Sequence, residues 1–200
     1  MLQVKQVTND VFSSNTYVVL DDDYDYCWLV DIGSYEKVKD TIPPDMEVRG
    51  VFLTHTHFDH INGINRLYES FPQCRVFTSE YGYEALYDSK KNLSFYHESP
   101  LVFRGNAVNV MKDEESVNLY PTVNIVAHKT PGHCPSCMTF VLDDWVFSGD
   151  SFIPGAKVVT KLPKGDRLLA EQSTELILHL AKDRLLCPGH GEMARLCVYE

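Results

Sequence analysis

Four side chains that readily bind metal ions lie close together at the end of an apolar run, Val51–Leu53. They belong to the segment Thr54-His55-Thr56-His57-Phe58-Asp59-His60. Side chains alternate along a strand, so His55 and His57 are expected to project to one side. Asp59 and His60 then lie on the turn into a helix. Imidazole and carboxylate groups suit zinc, iron or manganese, and this spacing divides into one pair for each of two neighbouring ions.

Three further candidate ligands share one local pattern, in which Gly directly precedes the ligand just after a predicted strand. They are His133 after Thr130-Pro131-Gly132, Asp150 after Ser148-Gly149, and His190 after Cys187-Pro188-Gly189. Gly and Pro allow the backbone to turn sharply at the end of a strand. Loops at strand ends often carry function, so we expect these loops and the histidine-rich segment to converge on one edge of the sheets.

The rest of the chain alternates between strand and helix patterns. Apolar, β-branched runs predict strands at Leu2–Val7, Tyr17–Leu20, Cys27–Val30, Val51–Leu53, Arg75–Phe77, Val123–Ala127, Met138–Leu142, Trp145–Phe147 and Leu185–Cys187. Helices are predicted at Ile61–Tyr68, Glu80–Tyr87 and Arg167–Ala181. The segment Lys90–Met111 loses periodicity and is predicted to be a long surface excursion bordering a site. We expect one domain over residues 1–200.

Composition narrows the classes of partner. The formal net charge of -10 repels phosphate backbones, so nucleic acid is not an expected partner. The sequence has no apolar stretch of membrane-spanning length and no pattern of a secretion signal at its start, so no membrane partner is expected. Six cysteines at positions 27, 74, 134, 137, 187 and 197 lack a framework spacing, which favours reduced thiols and a cytoplasmic location.

The combined pattern resembles the metallo-β-lactamase superfamily, whose signature is His-x-His-x-Asp-His followed by a lone His, a lone Asp and a final His. The resemblance implies a four-layer αβ/βα sandwich and two divalent metal ions. Zinc is the expected metal, with iron or manganese as alternatives. It places the first metal on His55, His57 and His133. It places the second on Asp59, His60 and His190, with Asp150 bridging the two ions.

Within that superfamily the chain is most similar to the glyoxalase II (hydroxyacylglutathione hydrolase) branch. The likeness rests on Ser14-Asn15-Thr16-Tyr17, Asn92-Leu93-Ser94, Thr130-Pro131-Gly132-His133 and Pro163-Lys164-Gly165-Asp166. There are two departures. The chain ends at Glu200, where glyoxalase II adds a helical domain that supplies much of the glutathione site. The stretch Phe152–Lys161 also lacks the family's Gly-rich turn with an Arg, for which Lys157 or Lys161 is a candidate substitute.

The resemblance implies hydrolysis of a small-molecule thioester or related ester by a hydroxide that bridges the metals. Asp59, besides binding metal, is expected to act in catalysis by orienting the hydroxide and carrying a proton to the leaving group. Hydrolysis of β-lactams is not expected. β-Lactamases with similar motifs typically lack an Asp at the position of Asp150 or a His at that of His60.

Several alternatives stay open at this point. A mononuclear iron persulfide dioxygenase resembles this branch, and a phosphodiesterase or lactonase uses related two-metal chemistry. A metal-holding scaffold without turnover is a further possibility. The sequence leaves the acyl group, the carrier and the oligomeric state undetermined.

Other side chains with chemical potential are given structural roles. The histidines at 97, 128 and 179 lack neighbouring ligands and are expected to be surface or core residues. Cys134 and Cys137 have the spacing of a redox pair, but they precede a strand, which favours structural thiols. The tyrosines at 81, 83, 87 and 96 are expected to pack in the core.

Overall fold

The computed structural model describes residues 1–196, and these form two six-stranded sheets packed face to face. The first sheet follows chain order and contains β1 (Leu2–Thr8), β2 (Asn15–Asp21), β3 (Tyr26–Val30), β4 (Glu47–Phe52), β5 (Arg75–Thr78) and β6 (Val108–Val110). The second contains β7 (Ser116–Tyr120), β8 (Val123–Lys129), β9 (Met138–Leu142), β10 (Trp145–Gly149), β11 (Leu185–Pro188) and β12 (Ala194–Arg195). Strands β3 to β6 are parallel, as are β10 and β11, and the other neighbours are antiparallel.

Helices cover the outer faces of both sheets. They are α1 (Tyr35–Thr41), α2 (Phe58–Ile61), α3 (Ile64–Ser70), α4 (Glu80–Leu86) and α5 (Arg167–Leu180), with a 3₁₀ turn at Ser94–Tyr96. One apolar cluster fills the space between the sheets, where the rings of Phe52 and Phe77 stack with centroids 4.5 Å apart. Two further clusters join the first sheet to α1 and α3, and the second sheet to α5. This arrangement confirms the predicted four-layer αβ/βα sandwich.

Strands that are buried on both faces leave a clear pattern in the sequence, and β3 is an example. Every residue of β3 is buried, because one face meets the inner cluster and the other meets the outer one. Such a strand is a continuous apolar run instead of an alternating one. The described residues include no helix long and apolar enough to cross a membrane.

The helix predicted at Ile61–Tyr68 is confirmed from Ile64 onward as part of α3, but its start is wrong, because a break separates α3 from α2, which ends at Ile61. The backbone of Ile32 takes the place of the missing helical hydrogen bonds. Ile32 N–H donates to the carbonyl of His60 over 2.8 Å, and its carbonyl accepts from Gly63 N–H over 2.9 Å. The break therefore ties the histidine-rich segment to the end of β3.

The elements that were not predicted are α1, α2, β6, β7, β12 and the 3₁₀ turn at Ser94–Tyr96. The unpredicted strands and α2 have at most five residues, and the sequence YEKVKDT of α1 is mostly charged and buries only Tyr35 and Val38, so little apolar periodicity marks them. The excursion Lys90–Met111 contains β6 at its end, and the loop before it is held internally. The buried Asn92 amide donates to the carbonyl of Leu101 over 3.0 Å, and Leu101 N–H donates to Ser94 Oγ over 2.7 Å.

Candidate metal centre

All seven predicted ligands lie together at one end of the sandwich. The histidine-rich segment follows β4, His133 follows β8, Asp150 follows β10 and His190 follows β11. Their ligand atoms form three groups, each within 4.8 Å and each able to hold a metal ion. The groups are His55, His57 and His133; Asp59, His60 and His190; and His55, His60 and Asp150.

The Asp150 carboxylate lies between the first two groups. Its Oδ2 is 3.6 Å from His133 Nε2, and its Oδ1 is 3.5 Å from both His60 Nε2 and His190 Nε2. Within the second group, Asp59 Oδ2 is 3.4 Å from His190 Nε2. One carboxylate thus faces both groups of imidazoles, which is the arrangement needed for a shared ligand.

Three atoms that face this site are buried and lack a hydrogen-bond partner among the described residues. They are His55 Nε2, His60 Nε2 and Asp150 Oδ1. Buried polar atoms are nearly always paired, and an exception calls for an explanation such as a bound ion. Nitrogen and carboxylate donors at this spacing suit divalent ions such as zinc or iron. The residues present therefore fit a metal centre.

The imidazole of His60 is oriented by a carboxylate that the sequence analysis missed. Asp31 follows β3 and is completely buried, with its Oδ2 2.8 Å from His60 Nδ1. Thr54 N–H and the Thr54 hydroxyl also donate to Asp31, each over 2.7 Å. The carboxylate accepts from His60 Nδ1–H, which leaves the Nε2 lone pair directed at the site.

The same carboxylate acts on His55 through Thr54. Because the Thr54 hydroxyl donates its hydrogen to Asp31, it can only accept from His55 Nδ1, which lies 3.2 Å away. Nδ1 of His55 then carries the hydrogen and Nε2 keeps its lone pair. His133 is fixed similarly, since its Nδ1 lies 2.8 Å from the carbonyl of Val159. In these three imidazoles Nδ1 thus faces a partner outside the site, and Nε2 is the nitrogen directed at it.

The glycines before two of the ligands are required by close contact. A Cβ at Gly189 would lie 2.1 Å from Asp150 Oδ1, and a Cβ at Gly149 would lie 2.4 Å from Thr54 Oγ1. Gly149 also has a φ of +51°, which favours glycine. The sharp turns expected from the sequence pattern are present, and they let these loops approach one another.

Charges at the site perturb the pKa values of its members. Burial alone lowers the pKa of His60, but Asp59, Asp31 and Asp150 raise it well above its ordinary value. For His190, burial also lowers the pKa, yet the neighbouring carboxylates of Asp150 and Asp59 raise it to about 9. Burial opposes ionisation of Asp150, but His60 and His190 hold the pKa of that carboxyl well below its usual range. The carboxylates create a negative environment that favours cations.

The segment Ser14-Asn15-Thr16-Tyr17 fastens the loop that carries the last ligand. Asn15 N–H donates to the carbonyl of Gly189 over 2.7 Å, and the Asn15 amide and the Tyr17 hydroxyl both donate to the carbonyl of Pro188. Ser14 forms a β-bridge with His190, and its hydroxyl donates to the Asp59 carbonyl over 2.8 Å. This motif is therefore structural support for the site.

The two candidate lysines flank Val159, whose carbonyl contacts His133 Nδ1, and they line a cavity beside α5. Lys157 and Lys161 line a cavity of about 680 Å³ between the segment after β10 and the helix α5, which none of the seven predicted ligands lines. A contact of either lysine with substrate stays a prediction. At the other end of this segment, Asp166 caps α5 through Leu169 N–H, and its own N–H donates to the carbonyl of Gly132.

The remaining predicted residues have varied positions. Cys134 and Cys137 are buried with their sulfurs 3.3 Å apart, and their structural role stays a prediction. Cys197 lies outside the described residues. The expectation that the tyrosines pack in the core is wrong: Tyr83 on α4, Tyr87 just after it and Tyr96 in the excursion are exposed, and Tyr81 is only partly buried.

Residues 9–190 match the model of the metallo-beta-lactamase superfamily. The chain therefore belongs to this superfamily.

Several solved structures share the fold. BLEG-1, described as a B3 metallo-beta-lactamase, is 25% identical, with a TM-score of 0.86 over 96% of this chain and 93% of that one. TTHA1623, solved in a di-iron-bound form, is 23% identical, with a TM-score of 0.76 over 96% of this chain and 94% of that one. ETHE1 from Myxococcus xanthus is 22% identical, with a TM-score of 0.71 over 95% of this chain and 76% of that one.

Proposed function

We propose that this protein is a dinuclear metal-dependent hydrolase of small thioesters or related esters, similar to the glyoxalase II branch of its superfamily. The observation that carries the proposal is the convergence of two ligand groups that share one carboxylate, Asp150. In this assignment His55, His57 and His133 hold one ion. Asp59, His60 and His190 hold the other.

Two divalent ions bound there, zinc or alternatively iron or manganese, would supply Lewis acidity and lower the pKa of water from about 15.7 towards 7. Asp59 acts beside them. The surrounding histidines hold the pKa of Asp59 below its ordinary value although burial opposes this. Its ionised carboxylate can accept a hydrogen bond from the attacking water and pass the proton to the departing thiolate or alkoxide. Ser14 fixes the Asp59 backbone for this task.

The rival activities make different demands on these residues. A mononuclear iron persulfide dioxygenase requires ligands for one ion only and is compatible with Asp59, His60 and His190 being present, so the number of bound metal ions separates it from the dinuclear hydrolase. A phosphodiesterase acting on long nucleic acids is disfavoured by the net charge of -10. The similarity to BLEG-1, described as a B3 metallo-beta-lactamase, makes β-lactams a class to be tested directly.

The test combines metal analysis with substrate assays on protein purified without chelators. We expect two metal ions per chain and turnover of S-acyl thioesters in preference to a lactone, a phosphodiester, a cephalosporin and a persulfide. Asp59→Ala should lose activity and one metal ion, whereas Asp23→Ala, at an exposed site, should lose neither. Oxygen uptake with a persulfide, or full activity of Asp59→Ala with two bound metals, would contradict the proposal.

A further inference from the structure

Three aromatic side chains from separate segments meet at His97, and one of them belongs to the histidine-rich segment. The His97 ring stacks on the Phe58 ring, with centroids 4.5 Å apart and an interplanar angle of 18°. The Phe12 ring contacts His97 from another side, at 5.5 Å and 53°. These three residues are called the aromatic wall below. None of them has a role in holding the metal.

Phe58 links the aromatic wall to the ligands. It is the first residue of α2 and lies in sequence between His57 and Asp59, and its partly buried ring packs against the outer core cluster. Its position is therefore fixed by the same backbone that places two ligands. His97 stacks on this ring and is therefore one ring away from the segment that carries the ligands.

The loop that carries Phe12 is also tied to the centre. Ser14 closes this loop by accepting from Asn9 N–H, and its hydroxyl donates to the Asp59 carbonyl over 2.8 Å. Phe12 and Ser13 have φ values of 50° and 55°, which are uncommon for residues other than glycine. Even so, the Phe12 side chain remains 64% exposed. The strained turn holds an apolar ring in solvent, and burial in the core does not compensate for it.

His97 follows a loop that is built from buried hydrogen bonds. Asn92 and Ser94 are both completely buried and bind the backbone of Leu101, while His97 N–H donates to the carbonyl of Ser94 over 3.0 Å. The imidazole is therefore presented from a defined support. Exposed apolar rings held in place next to a polar site are typical of ligand binding.

We propose that the aromatic wall binds an aromatic ring of the substrate, and that Phe12 and His97 thereby select ring-bearing thioesters. The inference rests on the proposed function. Aromatic rings pack favourably in tilted or offset arrangements at centroid distances of about 4.5–7 Å. The exposed side of Phe12 offers such a surface, and Phe58 joins the aromatic wall to the segment that carries His57 and Asp59. The ring can belong to the acyl group or to the leaving thiol.

Three thioesters test the proposal and distinguish the two sources. S-phenylacetyl-N-acetylcysteamine carries the ring in the acyl group, benzyl thioacetate carries it in the leaving thiol, and S-acetyl-N-acetylcysteamine carries none. In Phe12→Leu and His97→Ala, we expect kcat/KM for one ring-bearing substrate to fall roughly threefold to tenfold. The value for the ring-free substrate should change less than about twofold, and Phe12→Tyr should retain the preference because it keeps the ring.

Tyr83→Leu is the matched control, because Tyr83 is an exposed aromatic residue on α4 outside the aromatic wall. This variant should leave kcat/KM for all three substrates unchanged. Equal losses on all substrates in Phe12→Leu, or no preference for either ring-bearing substrate in the original protein, would overturn the inference. If no thioester is hydrolysed, the proposed function fails. Calorimetric titration with phenylacetate and acetate then tests ring binding by the aromatic wall on its own. Tighter binding of phenylacetate that is lost in Phe12→Leu supports the aromatic wall, and equal binding refutes it.

Discussion

Replacing Asp31 with Asn should weaken metal binding without removing any ligand. The Asp31 carboxylate accepts hydrogen bonds from Thr54 N–H, the Thr54 hydroxyl and His60 Nδ1. An amide of the same shape has only one acceptor oxygen. If that oxygen stays on Thr54 N–H, the amide hydrogens face His60 and favour the tautomer that carries its hydrogen on Nε2, where it blocks metal binding. The Thr54 hydroxyl can then turn towards His55 and disturb a second imidazole.

The magnitude follows from what such supporting groups contribute elsewhere. Loss of a group that orients a metal-binding histidine typically reduces affinity 10–100-fold, which is about 1.4–2.8 kcal/mol. Burial raises the pKa of Asp31, which means that a charged group is unfavourable at this position. The fold itself should therefore tolerate the neutral amide of Asn. We therefore expect a larger effect on metal affinity than on the unfolding free energy of the metal-free protein.

Competition for Zn²⁺ with a chromophoric chelator measures the affinity, and ¹⁵N NMR of the histidines reports the tautomers. Asp23→Asn is the control, since the Asp23 side chain is 84% exposed. The reasoning is refuted if Asp31→Asn binds Zn²⁺ as tightly as the original protein while His60 and His55 keep their hydrogens on Nδ1.

Two further perturbations act on the same site. Gly189→Ala places a Cβ 2.1 Å from Asp150 Oδ1, so the variant should fold with a loss of about 1–3 kcal/mol and bind less metal than Gly155→Ala. Gly155 has a φ of +74°, so its substitution also strains the backbone, but its added Cβ has no atom within 4 Å. Equal metal content in the two variants would contradict this. Metal affinity should also rise with pH from about 6.5 to 9, because the raised pKa of His190, about 9, means that a proton must leave before the nitrogen binds a cation. A pH indicator in weak buffer should record this release at pH 7.5, and an affinity independent of pH over that range would rule it out.

The ligands could be predicted from the sequence because each carries a local signal. His133, Asp150 and His190 each follow a strand and a glycine, and the strands themselves are apolar runs that fill the space between two sheets. The fold class was implied by the resemblance to the metallo-β-lactamase superfamily that these ligands carry. Asp31 carries a weaker signal. It also ends a strand, but its importance arises from contact with His60, 29 positions away, which local pattern does not reveal.

The errors have a common physical origin in tertiary contacts that override local preference. The apolar periodicity of 61–68 predicts one helix, yet hydrogen bonds to Ile32 interrupt it at Gly63. The tyrosines on α4 and the excursion were expected inside, but these elements present them outward. Short elements such as α1 bury too few side chains to leave a periodic pattern.

The attachment of the loop at Pro188–Gly189 to Asn15 and Tyr17 joins the beginning of the chain to a segment more than 170 positions later. During synthesis, Asn15 and Tyr17 leave the ribosome long before the loop at Pro188–Gly189 that accepts their hydrogen bonds. Contacts of such long sequence separation form late in folding. The complete set of metal ligands can therefore assemble only after the two sheets have packed together. Retention of the metal ions would then measure whether the whole domain is folded.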